Sequence, residues 1–297
     1  MTGHLIHIGY AKTGSSYLRR WFASHPQLEY ADAAIAGFPS VHDISRQAVA
    51  ARPGLLFRVT SSEGLATPHV RVGDPLGDFE SVASRPRPEA QAEACATLAS
   101  LFPRAHVLLV TRGFRSIWFS GYSEFIRGGG DPAELERRAE ADRREADAWN
   151  YDRIIGLYRH AFGDRLIVMP YEMLRDDPGG FARELERRLG LDHHPPPRER
   201  VNRALEAAEL SWYPRLTRVV RALPVGMGLR RRLFGLYVRA IRANRLHGPV
   251  RLLQAIRPLP PVTADGITDD MLERFRGTAE SLRGDPLYAP YAKDYLL

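Results

Sequence analysis

The stretch Gly9-Tyr10-Ala11-Lys12-Thr13-Gly14-Ser15-Ser16 concentrates two glycines, a lysine and three small hydroxyls in eight residues. It follows an apolar run, Leu5 to Ile8, and precedes Tyr17, Leu18, Trp21 and Phe22, which recur at helical spacing. A glycine-bearing turn that opens a helix aims backbone N–H groups and the positive end of the helix dipole at one point, which makes an anion site. Lys12 adds a compact ammonium, and only Lys293 shares its type in a chain of 40 arginines. A rotatable ammonium suits an oxygen whose charge changes during a reaction; a rigid guanidinium fork suits fixed recognition. Gly9 and Gly14 meet the G-x-x-x-x-G frame of a nucleoside-triphosphate loop, but Ser15-Ser16 stands where that loop has Lys-Ser/Thr.

Two further positions carry chemistry. Arg112 follows the apolar run His106 to Thr111, and Ser120 falls eight residues later; a guanidinium fork with a hydroxyl is a sensible phosphate clamp. A turn over Thr111 to Ser116 is expected to bring Ser120 onto a first helical turn. Glu63, in Thr60-Ser61-Ser62-Glu63-Gly64, lies just after another apolar run, Leu55 to Val59. That is the carboxyl edge where ligands collect in parallel sheets, so Glu63 is a candidate general base. A glutamate there also serves as a helix cap or a solvated loop residue. His42 and His69 are alternative bases, and both also read as ordinary surface imidazoles. The ten histidines and the single Cys95 show no C-x-x-C, H-E-x-x-H or similar spacing, so no metal is expected.

Apolar runs alternating with helical patterns point to an α/β fold with a central, mainly parallel sheet. Leu5 to Ile8, Leu55 to Val59, His106 to Thr111 and Leu166 to Met169 read as strands. Helices are expected near Ala90 to Phe102, over Pro132 to about Asp147, around Ile154 to Phe162, and through Phe181, Leu185 and Leu189 to a cap at Gly190. His193-His194-Pro195-Pro196-Pro197 reads as a stiff connector. We expect residues 1–200 to form the α/β core and residues 201–297 a helical, arginine-rich region completing the same domain.

The Lys12 segment, Ile8 to Trp21, resembles the 5′-phosphosulfate loop of sulfotransferases that use 3′-phosphoadenosine 5′-phosphosulfate (PAPS). Their pattern is a strand, then P/A-K-x-G-[ST]-[ST], then a helix. The resemblance implies that Ala11, Lys12, Thr13, Gly14, Ser15 and Ser16 bind the donor. It also implies that Arg112 and Ser120 bind its 3′-phosphate, although Gly113-Phe114 stands where the family commonly has Asp/Asn-Pro. Leu166 to Leu174 with Asp177-Pro178 resembles the family's downstream strand and Y-E-x-L…D-P segment, read as structural. Arg200-Val201-Asn202-Arg203 resembles a loop near the 3′-phosphate; the late R-K-G motif of phenol and steroid members is absent, and Arg198, Arg200 or Arg203 substitutes. Glu63 resembles the base of carbohydrate-acting members. The implied fold is P-loop-like, in three layers. The implied activity is sulfuryl transfer to a hydroxyl or amine, leaning to a carbohydrate or glycolipid acceptor, with Lys12 and Glu63 catalytic, PAPS as donor and no metal. A small-molecule kinase and a non-catalytic binder of anionic membrane surfaces are the rival readings.

The formal net charge is +7, and it is unevenly placed. From Leu210 to Ala264 there are 11 arginines and no Asp or Glu, so the remainder is net acidic. Leu229, Leu233, Leu236, Tyr237, Ala240 and Ile241 form an amphipathic pattern there, with the arginines largely elsewhere. Three readings stand: a core-packed helix whose arginines pair with acidic residues such as those of Glu134 to Asp147, an interfacial helix on anionic lipid, and direct binding of an anionic glycan. Few aromatics and no recognised module argue against nucleic acid. No apolar run is long enough to span a membrane, and MTGHLIHIGYAKTG lacks the pattern of a secretory signal. With one cysteine, a cytoplasmic chain is expected, and peripheral membrane attachment through residues 210–264 is the expectation of the interfacial-helix reading.

Overall fold

Four of the five strands grow out of the apolar runs, and their pairing decides where the chemistry lies. The computed structural model describes residues 2–30, 53–67, 87–132, 149–198 and 204–297. In chain order these include β1 (Gly3–His7), α1 (Ser15–Ser24), β2 (Leu28–Tyr30), β3 (Phe57–Ser61), α2 (Arg87–Leu101), β4 (His106–Thr111) and α3 (Phe114–Arg127). After them come α4 (Tyr151–Phe162), β5 (Leu166–Pro170), α5 (Tyr171–Asp176), α6 (Pro178–Leu189), α7 (Ala207–Arg221), α8 (Met227–Arg242) and α9 (His247–Ile256). The short helices α10 (Asp269–Leu272) and α11 (Ala292–Tyr295) complete the set. The expected helix over Pro132 to Asp147 falls almost wholly outside the described residues.

The sheet has the order β2-β3-β1-β4-β5 and every pair is parallel. β1 runs through α1 to β2, outward past β3, whereas β3 runs through α2 to β4, back past β1. Right-handed crossovers in opposite directions must lie on opposite faces, which makes three layers. Packing agrees. Leu18, Trp21 and Phe22 of α1 join Phe181, Leu185 and Leu189 of α6 over Leu108, Val110, Ile167 and Met169. On the other face α4 packs on α2, β4 and β5. Burial on both faces explains why β4 and β5 read as unbroken apolar runs. The third strand begins at Phe57, not Leu55, because its ladder with β1 starts at Gly3↔Phe57. β2 escaped the sequence reading; three residues are too few to show a period.

The chain divides into two compact units. The first comprises Met1–Phe114, Arg144–Val201 and Glu273–Leu297; the second comprises Arg115–Arg143 and Asn202–Leu272. In the first unit the proline-rich connector is tied to α1: Trp21 donates to the His194 carbonyl at 3.1 Å and Tyr17 to the Pro197 carbonyl at 2.7 Å. The second unit packs Ile126, Leu210, Tyr213, Ile241 and Val250 into its own core. Its helix α8 departs from the sequence reading. Phe234, Tyr237 and Ile241 pack inward, while Leu229 and Leu236 are 52% and 57% exposed. Among the described residues, no helix is long and apolar enough to cross a membrane.

The sheet also buries a histidine. His7, at the end of β1, is fully enclosed, and its Nδ1 lies 2.8 Å from Ser61 Oγ on β3. Burial, assisted by the Arg19 charge, pushes its pKa from 6.5 down to about 3. The folded chain therefore refuses a proton that the unfolded chain accepts, and stability falls as pH drops through the window from about 6.5 to 3. The slope from this one group is about 1.4 kcal/mol per pH unit. Urea denaturation of His7→Gln across pH 4 to 7 should give a flatter acid limb than the parent; parallel limbs would contradict it.

Candidate functional site at the carboxyl edge of the sheet

Parallel pairing puts the ends of β1, β3, β4 and β5 on one edge. His7 pairs with Ser61 and with Leu108, and Thr111 pairs with Pro170. Ser62 N–H donates to the His7 carbonyl and Ile8 N–H to the Leu108 carbonyl, so the ladders hold up to the loops. The loops carrying Lys12, Glu63, Arg112 and Glu172 all leave from this edge. Between β1 and β4 the crossover helices on the two sides, α1 and α4, lie on opposite faces, which opens the crevice where ligands bind in such sheets.

The Lys12 loop is a tight left-handed turn. Lys12 has φ +68° and Gly14 φ +83°. For a lysine this conformation is strained by about 1–2 kcal/mol, so its surroundings must hold it. A Cβ on Gly14 would lie 2.7 Å from Leu174 Cδ2, and one on Gly9 2.5 Å from the His7 ring. Both glycines are therefore demanded by packing; Gly14 is demanded by its backbone as well. Thr13 is buried and spends its hydroxyl on the Tyr10 carbonyl at 2.5 Å, which closes the turn. The first turn of α1 has no acidic residue, and its N-cap, Gly14, has no side chain to accept from the helix. The Ser15 hydroxyl is buried and has no hydrogen-bond partner among the described residues. An uncompensated helix N-terminus beside a buried, unsatisfied hydroxyl fits an anion with oxygen acceptors.

Arg112 joins the second strand end to this loop. Its guanidinium donates to the Lys12 carbonyl at 2.5 Å and lies 4.3 Å from the centre of the Tyr171 ring. Burial lowers its pKa from the ordinary value, an effect opposed by Tyr171 and by the Glu172 carboxyl group. The backbone of Arg112 is clamped from above and below by one phenol. Tyr151 donates to the Arg112 carbonyl at 2.6 Å and accepts from the Arg112 N–H at 3.2 Å.

Glu172 organises the turn that follows. It is fully buried, accepts from the Gly113 N–H at 3.0 Å and accepts from the Tyr295 hydroxyl at 2.6 Å. Thr111 extends the network to the Tyr288 hydroxyl at 2.7 Å. Gly113, where the resemblance calls for Asp or Asn, has a steric reason: a Cβ there would lie 2.5 Å from Asp294 Cβ. Phe114 stacks between Tyr151 and Phe275, at 5.1 Å and 4.8 Å. The 288–295 segment thus occupies space that a larger residue at 113 would require.

Glu63 opens a single 3₁₀ turn, Glu63–Leu65, directly after Ser62 and is half-buried. Arg19 Nε donates to Ser61 Oγ at 3.2 Å, placing a guanidinium between α1 and this strand end. Tyr10 is a core residue, stacked 4.5 Å from Trp149. Ser120 is the seventh residue of α3, so it lies in the second helical turn and not the first, because the helix starts as early as Phe114. It belongs to the second unit. Arg200, Val201, Asn202, Arg203, His42 and His69 lie outside the described residues. Sequence reasoning treated Tyr171-Glu172 as scaffold alone; the signal that could have singled out Glu172 is its place after a strand ending on the same edge as Arg112.

Residues 87–195 match the sulfotransferase family, a span that begins after the Lys12 loop and Glu63 and includes Arg112, Ser120 and Glu172. The crystal structure of a sulfotransferase from Alicyclobacillus acidocaldarius is similar at 16% identity and a TM-score of 0.45, over 78% of this chain and 99% of that one. Mouse sulfotransferase SULT7A1 complexed with PAP is similar at 13% identity and a TM-score of 0.37, over 73% of this chain and 63% of that one. No curated protein matches the sequence.

The Glu172 network makes its own prediction. Tyr295→Phe removes one donor from a buried carboxyl group, which costs about 1–3 kcal/mol. Tyr17→Phe, whose hydroxyl reaches only a half-buried carbonyl, should cost about 1 kcal/mol or less. Thermal and urea unfolding of the two variants would check the order; a Tyr295→Phe protein as stable as the parent would show that Glu172 does not need this bond.

Proposed function

We propose that this chain, a sulfotransferase family member by its match over residues 87–195, transfers the sulfuryl group of PAPS to a hydroxyl or amine of an acceptor, of carbohydrate or glycolipid type. One observation carries the reading most: the Arg112 guanidinium and the Lys12 loop, from two different strand ends, are hydrogen-bonded to each other at 2.5 Å. A phosphate-selective fork and an anion-binding helix N-terminus therefore share one crevice, as a donor with phosphates at both ends requires. PAPS supplies the sulfuryl group and leaves as adenosine 3′,5′-bisphosphate.

In this reading the residues Ala11 to Ser16 hold the 5′ end of the donor through backbone N–H groups and the Ser15 hydroxyl. Lys12 neutralises charge growing on the phosphate oxygen as its bond to sulfur breaks, a role for which a rotatable ammonium is suited. Arg112, fixed by Tyr171, Tyr151 and the Lys12 carbonyl, holds the 3′-phosphate. Glu63 takes the proton of the acceptor hydroxyl as the new oxygen–sulfur bond forms. No step in this reading calls for a metal.

Calorimetric titration with adenosine 3′,5′-bisphosphate, with ATP plus magnesium in parallel, tests the donor site. Metal-independent binding of the bisphosphate is expected; binding of ATP-magnesium alone would replace the proposal with a kinase. Arg112→Ala should weaken the bisphosphate about 10- to 100-fold, the worth of a charge-assisted hydrogen bond pair, and adenosine 5′-phosphate far less. Equal losses for both ligands would remove Arg112 from the 3′-phosphate. Lys12→Ala should fold normally and lose about 10²–10³ in turnover in a sugar and glycolipid acceptor screen with labelled PAPS. Full activity in that variant would overturn its role.

A further inference from the structure

The helix α8 carries a surface that the transfer reaction does not use. At 100° per residue, Leu229, Arg232, Leu236 and Arg239 fall on one stripe, opposite the inward-facing Phe234, Tyr237 and Ile241. All four stripe residues are exposed. Arg231 and Arg242 flank the stripe and are exposed too. Among the described residues none of these arginines makes an ion pair; Arg239 Nε donates only to the Gly235 carbonyl of its own helix. No acidic residue occurs anywhere from Leu210 to Ala264. Of the large apolar side chains exposed among the described residues, most fall within residues 219–256; Leu252 and Ile256 on α9 are 63% and 73% exposed.

This pattern fits neither a buried helix nor an ordinary solvated one. A core helix would hide Leu229 and Leu236; a solvated face would not line up leucines with like charges and lack every acid. A polyanionic glycan would engage the arginines and gain nothing from the leucines. A bilayer surface uses both, since acyl chains receive the leucines while phosphate headgroups accept from the guanidinium forks at the same depth. We propose that α8 lies in the interface of an anionic membrane along its Leu229–Arg232–Leu236–Arg239 stripe. Two leucines and a few arginines give a reversible, salt-sensitive attachment. It would hold the enzyme at a surface, where a lipid-linked acceptor would be presented.

Flotation of the full chain with vesicles tests this directly, using phosphatidylcholine alone and phosphatidylcholine with phosphatidylserine, at low and high salt. The parent should float with the anionic vesicles and be released by salt. Arg232→Gln/Arg239→Gln should lower partitioning about 25-fold, at about fivefold for each arginine. Leu229→Gln/Leu236→Gln should lose vesicle binding while still retained on a heparin column. Circular dichroism and adenosine 3′,5′-bisphosphate titration should be unchanged in both variants, which separates failure of this surface from failure of the donor site. The proposal is overturned if the parent ignores anionic vesicles, or if it floats equally with neutral ones. It is also overturned if the leucine pair can be replaced without loss, which would assign the arginines to a soluble polyanion.

Discussion

The hydrogen bond from the Arg112 guanidinium to the Lys12 carbonyl ties together two loops that leave adjacent parallel strands. It depends on the sheet order, because only a β1–β4 pair brings those two strand ends side by side. It meets the carbonyl of a residue whose backbone is left-handed. Most of what is distinctive nearby serves to hold one partner or the other. Gly9, Thr13 and Gly14 shape the Lys12 turn; Tyr151, Tyr171 and Glu172 fix Arg112 and the peptide after it.

The support for Arg112 comes from parts of the chain that a local reading treats as separate. Tyr151 opens α4, Glu172 lies in the first turn of α5, and Tyr295 lies in α11, yet all converge on three consecutive residues, Thr111 to Gly113. A buried network of this kind is stable only when each polar group is satisfied, and the close packing around it leaves no room for a side chain at Gly113, whose Cβ would clash with Asp294. The departure from the commoner Asp/Asn-Pro is thus part of the same packing solution.

The second unit follows a different logic. Its core is assembled from faces of α3, α7, α8 and α9, and the arginines stay outside it. Arg218 pairs with Asp131 at 3.2 Å and Arg221 lies 5.1 Å from the centre of the Phe234 ring, so some of the charge is absorbed internally. The stripe on α8 is not. Charge of one sign on an outward face is tolerated in water; the leucines interleaved with it are what the proposed membrane attachment rests on.

The sequence alone determined the elements that have a local signature. Apolar runs marked β1, β3, β4 and β5, because strands buried on both faces leave no polar alternation. The glycine spacing placed Lys12 between a strand and a helix, and the run ending at Thr111 placed Arg112 at a strand end. The boundary of β3 and the existence of β2 escaped, since pairing with β1 and not local pattern sets them. Only the tertiary structure decided what surrounds each group. That His7 is neutral follows from its enclosure beside Arg19; that Glu172 governs the Arg112 turn follows from contacts with residues 59 and 123 positions away. Which leucines of α8 face out depends on the helix's rotation against α7, and periodicity cannot report a rotation when apolar residues lie on both sides. Long-range contacts leave no trace in the spacing of neighbours, so their consequences appear only when the chain is folded.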